Sequence, residues 1–297
     1  MLPRGARKSR SRPLLSRLVT SQLNDMPTDL LELFPDGAPR TLAVPLPPGR
    51  TVRGSEGADE RPVLWMSEEP APAGLWSRLH AAHESSGLWP LLLDGLGGDM
   101  SRPWQGGELW QATSTPDQHD AERVLAGRWA DQTGDGDDSP PPAEEDSFVA
   151  PYGRAWPGLA PALPPRVAVR EHADHWAEQL SQALSEAHLG LVPAQRSSDV
   201  LAAVGWHGAI NHIGVAELCA VLRSWEDRFG VRVIGAGFAE LYLSVAAPPS
   251  TLDEALPIAA EHFAFCPDNI LQGQRPYTVA AYAERLVDAP TWAFWWD

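Results

Sequence analysis

A thiol, an imidazole and a carboxylate fall within one short stretch of the chain, Glu261-His262-Phe263-Ala264-Phe265-Cys266-Pro267-Asp268-Asn269. Cysteine catalysis uses such a set: a base withdraws the thiol proton and a polar group orients the base. Pro267 disfavours helix at Cys266, and a Pro-Asp pair suits the first turn of a new helix. At such an N-terminus the helix dipole would favour the thiolate of Cys266, with His262, four residues earlier, as base and Asp268 as the polar orienter. Spacing alone reveals neither an oxyanion site nor a complete nucleophile constellation. Cys266 also follows Phe263 and Phe265, so the competing reading is a small buried hydrophobe beside a Pro-Asp helix stop.

Other candidates are weaker. His80 with His83, and His172 with His175 beside Glu171 and Asp174, sit three residues apart on predicted helices. Zinc sites draw on three or four ligands, and neither pair has the HExxH order, so no metal is expected. His207 and His212, in GWHGAINH, fall on a Gly-rich loop between two predicted helices, where function is more common than in cores. Gly205, Gly208 and Gly214 follow a helix rather than a strand, and the GxG of Val233-Ile234-Gly235-Ala236-Gly237 lacks its third Gly, so no dinucleotide cofactor is expected. Asp135, Asp137 and Ser139 alternate like calcium ligands, but Pro140 occupies the slot that requires Gly. No GxSxG or Walker pattern occurs. The 13 Trp outnumber the 7 Phe and 4 Tyr together; exposed Trp could stack on sugar rings, yet nearly all fall at apolar-face positions and read as core.

The elements that must position these residues form an α+β pattern in two modules. In residues 26–131, short strands are predicted at 41–46 and 62–66, and a helix at 75–86 ended by Gly87 in a left-handed cap. A buried strand follows at 88–93, which Pro90 pushes toward an edge or a strand start, and a helix at 120–130. Residues 132–164 are acidic and Pro-rich and read as a linker. The module at 165–297 has helices at 169–187, 198–204 and 214–229, the last with Val215, Leu218, Cys219, Leu222, Trp225 and Phe229 on one stripe. Strands at 231–237 and 240–246 are too close to be anything but an antiparallel hairpin. Thr251 and Glu254 make a capping box for a helix to about 265, and another helix spans 278–287. The closing Trp292-Ala293-Phe294-Trp295-Trp296 has apolar residues on both faces and reads as a buried strand inside a mixed or antiparallel sheet.

The charge is 23 Lys and Arg against 39 Asp and Glu, a net −16. Such a field repels phosphate and anionic lipid, so neither nucleic acid nor membrane is an expected partner. Two cysteines are too few for a disulfide framework, which points to a reducing, cytoplasmic compartment. Residues 1–25 reverse the balance, with Arg4, Arg7, Lys8, Arg10, Arg12 and Arg17 against Asp25. Arg17 interrupts the apolar run that a secretory signal needs. The stretch reads as a disordered basic tail or as sequence ahead of a true start at Met26.

The second module resembles a bacterial family, the domain of unknown function numbered 4253. The likeness rests on LGLVPAQRSSDVLAAVGW at 189–206, LRSWEDRFG at 222–230, AAEHFAFCPDNILQG at 259–273 and the closing WAFWWD, with Cys266-Pro267-Asp268 as its hallmark. The first module is similar to the N-terminal half of longer members through LWSRLHAAHESSGLWPLLLDGL at 75–96. The resemblance implies no reaction or ligand, and it directs interest to Cys266 and Asp268. The leading expectation is a non-enzymatic binding or interaction protein of the immunity or sensor type, acidic and matched to a partner with a basic surface. The rival is a cysteine-dependent enzyme built on Cys266, His262 and Asp268.

Overall fold

The computed structural model describes residues 26–38, 40–54, 62–134 and 148–297. The basic stretch 1–25 and the calcium-loop candidate Asp135, Asp137 and Ser139 lie outside the described residues. Along the chain run α1 (Thr28–Leu31), β1 (Gly49–Arg53), β2 (Pro62–Pro70), α2 (Leu75–Ala81), α3 (His83–Ser86), β3 (Leu88–Leu93), α4 (Ala121–Thr133), α5 (Val169–Ala183), β4 (His188–Pro193), α6 (Val200–Val204), α7 (Val215–Phe229), β5 (Val231–Ala236), β6 (Glu240–Val245), α8 (Leu252–Phe265), α9 (Asp268–Leu271), α10 (Val279–Leu286) and β7 (Thr291–Trp295). The fold is α+β, and its mixed sheet has seven strands in the order β1-β2-β4-β3-β5-β6-β7.

That order interleaves the two halves of the chain. β4, from the second half, lies between β2 and β3 of the first and pairs antiparallel with both. β3 in turn pairs parallel with β5. The division at the acidic segment therefore does not divide the sheet. Residues 148–164 of that segment pack on the fold: Val149 and Ala160 are buried, Leu163 N–H donates to Arg228 O at 3.0 Å, and Val279 N–H donates to Phe148 O at 2.7 Å. Proline removes donors for a regular ladder, so this strap is held by apolar contacts and isolated backbone bonds.

Three strand expectations are corrected. Residues 41–46 form no strand, because Pro45, Pro47 and Pro48 leave too few donors for a ladder; the strand falls instead at β1. Pro90 lies within an interior strand that is buried throughout. It is tolerated there because β3 pairs with β5 only at Leu92 and Leu93. Alongside the unpaired part, Trp89 Nε1 donates to Val233 O at 2.9 Å and Val233 N–H donates to Ser197 Oγ at 3.3 Å, so side chains take over where backbone pairing is missing. β7, finally, is an edge strand rather than an interior one. Trp292, Phe294 and Trp296 are buried on one face, while Trp295 on the other is 37% exposed.

The hairpin of β5 and β6 forms as its alternation predicts, and its register separates the two faces of the sheet. Val233, Leu243 and Trp292 pair across three strands on one face, and Gly235, Tyr242 and Ala293 on the other. Against the first face lie α7 and α8, through Trp225, Phe229 and Phe265 around the β7 rings. Over the second lies α5: a Cβ at Gly235 would stand 2.9 Å from the Leu180 Cδ2 methyl and 3.2 Å from Leu92 O, so a side chain there would make the Leu180 tip shift. α2 packs beside α5, joined by His80 Nδ1 to Asp174 Oδ1 at 2.7 Å. Among the described residues no helix is long and apolar enough to cross a membrane.

Candidate functional site

His262 and Cys266 share one turn at the end of α8 and are linked only indirectly: the Tyr282 hydroxyl accepts from Asn269 Nδ2 at 3.3 Å and meets His262, while Asn269 Oδ1 meets the Cys266 thiol. The His262 ring is enclosed by Trp225, Tyr282, Trp292 and Phe294, with Nδ1 3.1 Å from the Tyr282 hydroxyl. Burial without a countercharge pushes its pKa down to about 3, so the ring stays neutral. The Cys266 thiol donates to Trp295 O at 3.0 Å and to Asn269 Oδ1 at 3.5 Å, and burial pushes its pKa up to about 12. Both shifts run against thiolate formation. Asp268 turns away from both, toward His212 and Asp297. The three side chains are neighbours in sequence that the fold does not bring into one reactive centre.

What the Cys-Pro-Asp-Asn turn does is hold β7. An edge strand presents unpaired backbone groups that invite foreign strands. Here side chains fill them: Asn269 Nδ2 donates to Ala293 O at 2.7 Å and Asn269 Oδ1 accepts from Trp295 N–H at 3.3 Å, as a neighbouring strand would. Cys266 takes the carbonyl of Trp295, and Asp268 Oδ2 accepts from Asp297 N–H at 3.1 Å. Asp268 is in turn held by Gln272 Nε2 at 3.0 Å. Mild alkylation of the native protein at neutral pH should therefore leave both Cys266 and Cys219 unmodified, since each is buried with its thiol pushed up to about 12. Peptide mass spectrometry reads the outcome; rapid labelling of Cys266 ahead of Cys219 would contradict this placement.

The clamp also shapes a cleft. β3 and β5 run parallel, and ligands of open sheets that contain such pairs gather where the strands' carboxyl ends open. The loop after β3 brings Arg102, Glu108 and Trp110, the loop after α6 brings His207, Asn211 and His212, the turn after β5 brings Phe238, and the segment after β7 brings Trp296 and Asp297. Together they enclose about 220 Å³. Arg102 Nε donates to Glu108 Oε1 at 2.6 Å while its guanidinium lies 4.9 Å over the Phe238 ring. Trp110 meets His207 edge-on at 4.8 Å, and His207 Nδ1 lies 2.8 Å from Gly205 O. His212 Nε2 lies 3.3 Å from Asp297 O and 3.6 Å from Asp268 Oδ2, so the clamp residue Asp268 supports the cleft wall from behind.

Residues 188–297 match the family model for a domain of unknown function, DUF4253. Neither a curated protein nor a solved structure matches the chain. The DUF4253 match opens on the first residue of β4 and runs through the clamp to β7, so it contributes His207, His212, Phe238, Trp296 and Asp297 to the cleft. It does not extend to residues 75–96. Arg102 and Trp110 come from outside it, so the cleft needs both halves of the chain.

The two histidine pairs on α2–α3 and α5 have structural partners. His80 and His83 both meet Trp89 edge-on; His83 Nε2 lies 2.7 Å from Ala194 O, and burial holds its pKa below the ordinary value. His172 Nε2 lies 3.0 Å from Pro290 O, and His175 packs edge-on against Trp176. Arg102 and Trp110 carried no signal in the sequence, because their loop lacks periodicity and their cleft partners are distant in the chain.

Proposed function

We propose that the protein is a cytoplasmic binding module of the immunity or sensor type, whose cleft receives a cationic side chain from a basic protein partner. The observation that carries this reading is that Trp110, Phe238 and Trp296 line one cleft together with the carboxylates of Glu108 and Asp297. Aromatic faces attract guanidinium and ammonium groups, and the chain's own Arg102 already lies over Phe238. Arg102 is neutralised by Glu108, which leaves Asp297 in the cleft and Asp268 behind it. The net charge of −16 favours encounter with a basic surface. Two free, buried cysteines suit a reducing compartment.

The second reading, a cysteine enzyme on Cys266, has less support, since burial raises the thiol and lowers the imidazole. The test is titration with a tetra-arginine peptide, followed by NMR at the Trp110 indole N–H. A saturable shift is expected, weakened by salt and absent with tetraglutamate. Trp110→Ala should weaken binding about tenfold, the equivalent of about 1.4 kcal/mol of cation–π attraction. An unshifted indole, or an equal shift with tetraglutamate, would overturn the proposal.

A further inference from the structure

Beside the cleft, and sharing His207 and Ile210 with it, runs a groove of about 400 Å³. Three of its lining side chains stand in the order nucleophile, base, acid. Ser114 Oγ lies 2.7 Å from His119 Nε2, and the other ring nitrogen, Nδ1, lies 4.0 Å from Glu217 Oε1. A serine on one imidazole nitrogen and a carboxylate on the other is the arrangement that lets a histidine accept a proton from a hydroxyl while the acid steadies the imidazolium. At 4.0 Å the Glu217 contact is an ion-pair distance rather than a hydrogen bond, and in ligand-free sites catalytic contacts are often long and tighten once substrate binds.

The elements around the three residues are tied to one another. His119 follows the one-turn helix Pro116–Gln118, which Thr115 and Gln118 close as a capping box, with Thr115 N–H donating to Gln118 Oε1 at 2.9 Å. Asp117 of that turn is tied to Arg223 of α7, the helix that also carries Glu217. The groove further holds Gly214, Val215 and Ala216 at the N-terminus of α7. Gly214 offers no side-chain cap, and the Oε2 of Glu217, in the first turn, lies 3.4 Å from where a Gly214 Cβ would stand, so an acidic group already faces this helix end.

We propose that Ser114, His119 and Glu217 form a nucleophilic site that hydrolyses small esters. Ser114 Oγ adds to the ester carbonyl carbon as its proton passes to His119 Nε2, giving a tetrahedral oxyanion. The bond to the alcohol oxygen then breaks, and His119 returns the proton to the departing alcohol, leaving an acyl group on Ser114. Water attacks that acyl carbon and gives a proton to His119. Collapse releases the carboxylic acid as His119 reprotonates Ser114 Oγ, so the sum is ester plus water to acid plus alcohol. The apolar side chains of Ala112, Ile210 and Val215 suit a short acyl chain. The absence of a GxSxG elbow agrees with a serine that precedes a one-turn helix rather than one seated between a strand and a helix.

The site is tested on the full chain with a fluorophosphonate probe, read by intact mass and peptide mapping, and with p-nitrophenyl acetate hydrolysis above background. Ser114 is expected to take the label. Ser114→Ala and His119→Ala should each lower hydrolysis by more than about 100-fold, the lower range of base catalysis, and Glu217→Gln by about tenfold. Ser114→Ala should keep the wild-type unfolding midpoint. No label on Ser114, or hydrolysis undiminished in Ser114→Ala, would overturn the assignment. Ser114→Ala leaves every cleft residue in place, so tetra-arginine binding reports separately on the cleft.

Discussion

Glu261→Ala is expected to destabilise the protein by about 3–5 kcal/mol, the penalty of stranding one partner of a buried ion pair. Glu261 is fully buried on α8 and all four of its bonds reach beyond its own helix. Oε1 accepts from Ala160 N–H at 2.6 Å and from Arg228 Nη1 at 2.7 Å; Oε2 accepts from Trp225 Nε1 at 2.7 Å and from Arg228 Nη2 at 2.6 Å. Arg228 in turn donates to Ala160 O and to Ser224 Oγ. One carboxylate thus ties α8, α7 and the strap at 148–164 together. Removing it leaves a guanidinium with 14% exposure and no anion, and two buried donors without acceptors. Urea unfolding should show the midpoint fall with an unchanged slope, and Glu261→Gln should recover part of the loss because it keeps an acceptor. The double change Glu261→Leu with Arg228→Met should recover part of the loss, because replacing both ions avoids stranding a buried charge, while Ala160 N–H and Trp225 Nε1 still lack acceptors. A Glu261→Ala protein within about 1 kcal/mol of wild type would refute the account.

Local grammar was legible in the sequence wherever the determining contacts are local. The α7 stripe from Val215 to Phe229, the β5–β6 hairpin and the Gly87 and Gly230 caps each depend on neighbours a few residues away, and each forms. Sheet order was not legible, because placing β4 between β2 and β3 depends on pairings such as Trp65 with Leu191 that no short-range pattern encodes. The packing of residues 148–164 is hidden for the same reason: the partner of Ala160 is Glu261, far along the chain. At the site, the identity of the Cys266-Pro267-Asp268-Asn269 turn as a special feature could be read, but its task could not. Cys266, Asp268 and Asn269 differ in role from a catalytic set because β7 lies beside them, and that is a tertiary fact. The cleft was half visible through His207 and His212 and half hidden in Arg102 and Trp110. The Ser114 and His119 pair is only five residues apart, yet it carries meaning only once α7 sets Glu217 against it.

Deleting residues 292–297 is expected to abolish cooperative folding, and the two faces of β7 allow the reason to be tested ring by ring. On the inner face, Phe294 stacks on Trp225 at 5.5 Å and meets Phe265 at 5.0 Å; Trp292 meets Phe229 and His262; Trp296 meets Trp206 and Phe265. Truncating one such ring to Ala costs about 3–5 kcal/mol, against a net stability of roughly 5–15 kcal/mol for a domain. Losing all three, about 9–15 kcal/mol, is as large as that net stability. The deletion also uncovers the whole edge of β6 and strips Cys266, Asp268 and Asn269 of the backbone groups they bind, so an open strand edge invites aggregation. Trp292→Ala and Phe294→Ala should each lower the urea midpoint steeply. Trp295→Ala, on the outer face and 37% exposed, should change stability by less than about 1 kcal/mol, because its carbonyl and N–H, rather than its ring, engage the clamp. A soluble, cooperatively unfolding deletion would sink the argument, as would a Trp295→Ala loss equal to that of Phe294→Ala. The contrast between adjacent residues separates ring burial from backbone clamping as the source of the strand's hold.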